Sequence, residues 1–209
     1  NTYILEASRL EEVGKVVLVS SACAYPEDAP IPLREEDLFE GIPEETNRWY
    51  GLAKRMMVTQ AQAYRAEYGM NVVTAIPFNA YGPGDNFDPD NSHVIPALIG
   101  KCFRDQELVV WGDGSPTRNF LFVSDFVAGV LLAAERLDTA EAVNIGTDEE
   151  TSIREAVELI VKHTGFRGRV RFDPSKPGGQ PRRRADISRA RRILGYEPKY
   201  SFDEGLRQT

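Results

Sequence analysis

Val16-Val17-Leu18-Val19-Ser20-Ser21-Ala22-Cys23-Ala24-Tyr25-Pro26 is the stretch from which the rest of the chain can be read. Four apolar residues in a row, three of them β-branched, predict a short strand buried on both faces, as in a parallel sheet. The strand runs out into two hydroxyls, a thiol and a proline. In open parallel sheets that is where ligands bind, beyond the carboxyl ends of the strands. A serine at such a point can hold a substrate oxygen. It can also merely satisfy loop backbone, a role that suits Ser20 better than Ser21.

Outward from this strand the chain alternates. Asn1–Val13 reads as the end of a helix stopped by Gly14, and the proline- and acid-rich Ala24–Thr46 reads as loop. Asn47–Tyr68 has helical periodicity, with Trp49, Leu52, Ala53, Met56, Met57 and Ala63 mostly on one stripe and Gly69 as its stop. Asn71–Ile76 is a second buried strand, followed by Pro77 and a loop over Phe78–Asn91. His93–Arg104, Ser124–Arg136, Ser152–His163 and Ser188–Leu194 read as helices. Leu108–Trp111, Ala142–Ile145 and Arg169–Phe172 read as strands, Phe120–Phe122 as an apolar run, and Pro174–Arg184 as loop.

Strands alternating with helices predict an α/β fold with parallel pairing. The expected architecture is a Rossmann-like parallel sheet with helices on both faces, drawn from residues 1–80 with 119–146 packing back onto it. A smaller C-terminal α/β substrate-binding domain is expected over 81–209. The sequence holds no Gly-x-Gly-x-x-Gly, the turn with which a dinucleotide-binding fold opens. The expectation is therefore a truncated Rossmann-like domain whose N-terminal half lies outside this sequence.

Composition narrows the function. The 209 residues carry 25 Lys+Arg against 32 Asp+Glu, a net charge of −7, which argues against nonspecific nucleic-acid binding. No apolar run approaches the ~20 residues that a membrane helix needs. Two cysteines, Cys23 and Cys102, make no disulfide framework and fit a reducing, cytoplasmic setting. No Cys/His cluster has metal-ligand spacing, and the Asp85, Asp88 and Asp90 loop lacks the other ligands of a calcium site, so no metal is expected.

Tyr50-Gly51-Leu52-Ala53-Lys54 is the first chemical motif. Positions i and i+4 share a helix face. An ammonium there favours the phenolate of a neighbouring tyrosine by opposite charge, so such a pair can exchange a proton with an alcohol or ketone. By spacing alone it is equally a surface pair. Following the strand–serine–loop, however, it resembles the extended short-chain dehydrogenases/reductases, the nucleotide-sugar epimerases and dehydratases, over nearly the whole chain. The resemblance implies that Ser21, Tyr50 and Lys54 form the catalytic triad. It also implies that Tyr50, Lys54, Pro77 and Asn79 face a nicotinamide cofactor, NADP(H) or NAD.

Within that family, several ordered blocks are similar to the GDP-L-fucose synthases. They are Asp85-Asn86-Phe87, Asn91-Ser92-His93-Val94-Ile95-Pro96-Ala97-Leu98, Val109-Val110-Trp111-Gly112 with Arg118, Val143-Asn144-Ile145-Gly146, and Phe172-Asp173-Pro174-Ser175-Lys176-Pro177, while Pro77-Phe78-Asn79-Ala80-Tyr81-Gly82-Pro83 is similar to the wider family's segment after the strand, where an asparagine contacts substrate. Those enzymes epimerise a 4-keto sugar and then reduce it with NADPH. The resemblance makes Cys23 the base and His93 the acid of epimerisation, chemistry open to a thiolate and an imidazole. Ser-Ser-Ala-Cys-x-Tyr-Pro also resembles GDP-mannose 3,5-epimerase, which has a lysine where this chain has His93.

The remaining candidates are basic. Arg118, Lys176 and the Arg182-Arg183-Arg184 run lie in Gly/Pro-rich loops. Guanidinium forks bind phosphate oxygens bidentately, as a nucleotide-diphosphate sugar requires. By resemblance, Asn79, Arg118, Lys176 and Arg182 contact substrate, and Arg183 or Arg184 belongs to the solvated surface. Relatives pair through a four-helix bundle, so a homodimer is expected through Asn1–Val13 and Asn47–Tyr68. Two other functions stay open. One is a related epimerase, of the GDP-mannose 3,5-epimerase or UDP-hexose 4-epimerase kind, which returns its hydride and consumes no cofactor. The other is a cofactor-incompetent fragment that only binds nucleotide sugar or dimerises.

Overall fold

The computed structural model describes residues 1–176 and 178–209; Pro177 lies outside them. Along the chain come helix α1 (Thr2–Leu10), strand β1 (Val16–Val19), helix α2 (Arg48–Tyr68), strands β2 (Val72–Pro77) and β3 (Ala80–Tyr81), and helix α3 (Val94–Arg104). Strands β4 (Glu107–Trp111), β5 (Thr117–Arg118) and β6 (Leu121–Phe122) precede helix α4 (Val123–Arg136). Strands β7 (Ala142–Ile145) and β8 (Thr151–Ser152), helix α5 (Ile153–Thr164), strands β9 (Arg169–Asp173) and β10 (Arg182–Arg183), and helices α6 (Ser188–Leu194) and α7 (Phe202–Gln208) follow.

β1, β2 and β7 form one all-parallel sheet in that order, with Val17 opposite Val73 and Ala75 opposite Val143. Successive strand side chains point to opposite faces, and both faces are covered. Val72 packs with Leu5, Met57 and Ala61 of α1 and α2 on one side. Val73 and Ala75 pack with Ala133 of α4 and with Ala190 and Leu194 of α6 on the other. That double burial is why β2 reads as a continuous apolar run. The α/β class and the parallel sheet with helices on both faces are as expected.

A second core lies C-terminal to the sheet. Ile95 and Leu98 of α3, Leu108 and Val110 of β4, Val157 and Ile160 of α5, and Phe202 of α7 pack around Tyr81 and Phe120. β4 pairs parallel with β9, and β5 pairs parallel with β10 and antiparallel with β8. Among the described residues no helix is long and apolar enough to cross a membrane.

Three local expectations differ. The acidic loop holds 3-10 turns at Glu35–Phe39 and Glu45–Asn47. The arginine run is not all loop, because Arg182 and Arg183 pair with Thr117 and Arg118. The α2 stripe also divides. Gly51, Met57, Val58 and Ala61 face the protein, while Trp49 and Met56 are 78% and 54% exposed. Met57, Val58 and Ala61 pack into the cores beside the sheet and Gly51 lies against the Cys23 turn, so that face is buried and Trp49 and Met56 are left outside.

Candidate active site

The end of β1 and the first turns of α2 are stitched together by neighbouring side chains. Ser20 is buried, and its Oγ donates to the Lys54 carbonyl at 2.9 Å. Lys54 Nζ donates back to the Val19 carbonyl at 3.0 Å. Tyr50 sits one turn earlier with its ring centroid 5.7 Å from that ammonium, and it is half exposed. Its hydroxyl makes no hydrogen bond among the described residues, so its proton-exchanging group stays open. Ser20 is therefore spent on backbone, and the hydroxyl beyond it is Ser21.

Ser21 starts the turn that carries Cys23. Its backbone is extended, and its Oγ accepts the Cys23 N–H at 3.2 Å. Cys23 is a partly buried free thiol. A β-carbon at Gly51 would collide with the Cys23 carbonyl and lie 2.8 Å from the Pro43 side chain. Only glycine lets α2 pass so close, and so the Gly51 between Tyr50 and Lys54 has a steric reason. Arg55 donates Nε and Nη2 to the Ala24 carbonyl at 3.0 and 2.6 Å, and Nη1 to the Gly41 carbonyl at 2.7 Å.

Asn79 follows β2 with φ +36°, in the left-handed region that non-glycine residues seldom adopt. Its Nδ2 donates to the Asn119 carbonyl at 3.0 Å. Asn119 is fully buried, donates to the Glu149 carbonyl and accepts the Ala185 N–H, both at 2.7 Å. Asn119, the residue after Arg118, thus joins the end of β2 through its backbone carbonyl, and Glu149 and the segment after the arginine run through its side-chain amide.

The cations differ in state. Arg118 is partly buried, donates to the Thr117 carbonyl at 2.7 Å, and has no carboxylate partner among the described residues. Burial, and then the neighbouring Arg183 guanidinium, hold its pKa below the usual guanidinium range. Arg182 is exposed and bidentate to Glu150 at 2.6 and 2.7 Å. Hydrogen bonding to Arg182 pulls Glu150 down to about 2. Arg183 is not solvated surface. It is half buried and donates Nη1 to the Ala22 carbonyl at 2.8 Å. In a strand alternate side chains face opposite ways, so reading the arginine run as strand would have separated Arg182 from Arg183.

Lys176 lies over the Trp111 ring at 6.0 Å, and exposed His93 caps α3. No hydrogen bond joins either side chain to Ser21, Cys23, Tyr50 or Lys54 among the described residues. Beside the arginines opens a cleft of about 450 Å³, lined by Glu27, Ile31, Glu44, Gln180 and Arg182 among others.

A strand-end serine, a Tyr-x-x-x-Lys helix and a parallel sheet are features of several families. The model of the NAD dependent epimerase/dehydratase family matches residues 1–146. The chain belongs to that family. It is 41% identical over 214 residues to a probable GDP-L-fucose synthase 1 of Oryza sativa subsp. japonica, covering 100% of this chain and 65% of the relative. To the GDP-L-fucose synthase of Escherichia coli (strain K12) it is 37% identical, covering 99% of this chain and 68% of the relative. The chain thus spans about two thirds of the length of these family members. A solved structure of a GDP-L-fucose synthetase from Naegleria fowleri, bound to NADP, superposes with a TM-score of 0.93 at 29% identity, covering 100% of this chain and 68% of that one.

Proposed function

We propose that this chain carries the catalytic and substrate-binding part of a nucleotide-sugar epimerase/reductase that converts a GDP-4-keto-6-deoxy-mannose to GDP-L-fucose. The single observation behind this reading is the Ser21, Cys23, Tyr50 and Lys54 set at the end of one parallel strand, in a chain about 40% identical along its length to GDP-L-fucose synthases. In this reading Cys23, as thiolate, takes the proton from the carbon beside the ketone. The carbon–hydrogen electron pair moves to the C4 oxygen as an enolate. His93 returns a proton to the opposite face, which inverts the centre. Tyr50 then gives its phenolic proton to the C4 oxygen while Ser21 holds that oxygen and Lys54 steadies the phenolate.

The residues present fit one end of a nicotinamide cofactor. Lys54 Nζ already rests on a carbonyl at the strand end, beside an open phenol, where a ribose hydroxyl could take that carbonyl's place. Tyr50, Lys54, Pro77 and Asn79 would hold that end, and NADP(H) bound there supplies the hydride for C4. The free Arg118 guanidinium supports a diphosphate beside it, with Asn79, Lys176 and Arg182 as further contacts. The paired state of Arg182 requires that it exchange Glu150 for phosphate. Exposed Tyr3, Ile4, Leu10, Trp49 and Met56 on α1 and α2 support a homodimer through these helices, as apolar area left on two adjacent helices favours burial in a partner. Two free cysteines support a cytoplasmic setting.

The test is to incubate the full-length protein with GDP-4-keto-6-deoxymannose and NADPH. The expected outcome is loss of NADPH absorbance with formation of GDP-L-fucose, from a species that scatters light as a dimer. Product inverted at carbon without NADPH loss would point instead to an epimerase that does not reduce C4. Substrate binding with no turnover would sink the enzymatic reading.

A further inference from the structure

The backbone around Cys23 is held by cations from two different elements. The Ala24 carbonyl receives two N–H groups of Arg55, from the helix that carries Tyr50. The Ala22 carbonyl receives Arg183, from β10 and the glycine-rich loop before it. The Cys23 carbonyl between them lies against Gly51. Three consecutive carbonyls are thereby fixed, while the thiol itself remains partly open.

These two clamps are not equivalent. Arg55 is anchored within the sheet side, since it also holds Gly41. Arg183 belongs to the arginine side. Its Nε is steadied by Gln180 Oε1 at 2.7 Å, and its strand register sets it beside Arg118. Neither Arg118 nor Arg183 forms an ion pair with a carboxylate among the described residues. Two neighbouring guanidiniums with no carboxylate in contact repel each other, Glu44 acting on Arg118 only from a distance, and an anion at Arg118 relieves that repulsion. The arrangement in which Arg183 stays on the Ala22 carbonyl is then favoured.

Resting on the epimerase reading above, we propose that Arg183 is a positioning residue that couples binding of the substrate diphosphate at Arg118 to the placement of Cys23. The diphosphate settles the arginine pair. Arg183 then fixes the Ala22–Cys23 peptide, and the thiolate is aimed at the acidic carbon. Tyr50 and Lys54 are also tied to the strand end through Ser20 and Val19, independently of Arg183, so they depend on it less than Cys23 does. Proton abstraction from carbon therefore depends on Arg183 more than hydride transfer does.

The experiment measures two rates in full-length protein and in its Arg183→Met and Arg183→Lys variants. The first is deuterium uptake from D2O at C3 and C5 of GDP-4-keto-6-deoxymannose without NADPH, which reads proton abstraction alone. The second is the initial rate of GDP-L-fucose oxidation by NADP+, which needs Ser21, Tyr50 and Lys54 but no proton abstraction by Cys23. Arg183→Met is expected to lower the first rate at least about tenfold more than the second, the size of effect that misplacing a reacting group produces. Arg183→Lys, which keeps one donor, is expected to recover part of the exchange, and it decides the matter alone if the methionine variant does not fold. Equal losses in both rates, or no loss of exchange, overturn the proposal. If the unsubstituted protein shows no exchange, the epimerase reading fails first and the proposal falls with it.

Discussion

Lys54 and Arg182 are both cations of the candidate site, and their surroundings prepare them differently. Lys54 rests on a backbone carbonyl, so it brings a full positive charge to the strand end. Arg182 is exposed and committed to Glu150 by two hydrogen bonds, so its charge is offset until that carboxylate is displaced. The sheet side, with Ser20, Lys54 and Gly51 locked between strand and helix, is preorganised for chemistry. On the arginine side, Arg182 must give up Glu150 when an anion arrives. Preorganisation of the reacting groups matters most for rate, because groups aimed in advance need no rearrangement in the transition state.

The largest test of this contrast removes one atom on the sheet side. Tyr50→Phe should lower NADP+-dependent oxidation of GDP-L-fucose by roughly 10²–10⁴-fold, the range for loss of a general acid or base, with little change in thermal stability. A fall under tenfold would mean that proton exchange lies elsewhere. At the junction of the two sides, Asn119→Leu leaves the buried Ala185 N–H and the partly buried Glu149 carbonyl without their partner. A loss of about 3 kcal/mol in urea unfolding is expected. Unchanged stability would show that Asn119 does not tie the two sides together.

The smallest effect belongs to the Glu150–Arg182 pair. Glu150 titrates near 2 in the folded protein, well below its ordinary 4.5. Its contribution is therefore complete above about 4.5 and disappears as pH falls from there toward 2. Because the pair is largely solvated, the stability lost should stay below about 1 kcal/mol. Side-chain carboxyl shifts followed by NMR through that window would report it, and a Glu150 midpoint near 4.5 would show that Arg182 is not held.

The parts of the molecule most legible in the sequence were those with a strong local period. β1 and β7 fall where their apolar runs end, and α2 stops at Gly69, which takes the left-handed conformation at φ +67°. Ser152 opens α5 with a capping box to Glu155, a pattern visible as Ser-x-x-Glu. The same pattern at Ser201 and Glu204 opens α7, a helix that reading by periodicity did not include. Gly51 illustrates the limit of spacing arguments. Its place between Tyr50 and Lys54 was plain, but the reason for it is the Cys23 carbonyl, 28 residues earlier in the chain. Arg55, Arg183, Asn119 and Asn144 were likewise out of reach. Asn144 accepts the Tyr25 hydroxyl at 2.7 Å and donates to the carbonyls of Leu33 and Asp186. Such partners meet only after the chain has folded, and no local pattern records them.

One consequence follows from the thinness of Gly51. Trp49 points outward and Tyr50 is its immediate neighbour, about 100° around the same helix. Gly51, next along the chain, presses on the Cys23 carbonyl, so one glycine sets the distance between the thiol's backbone and the helix that carries the phenol. Three consecutive residues thus divide the helix between an outer surface, a site and a seam.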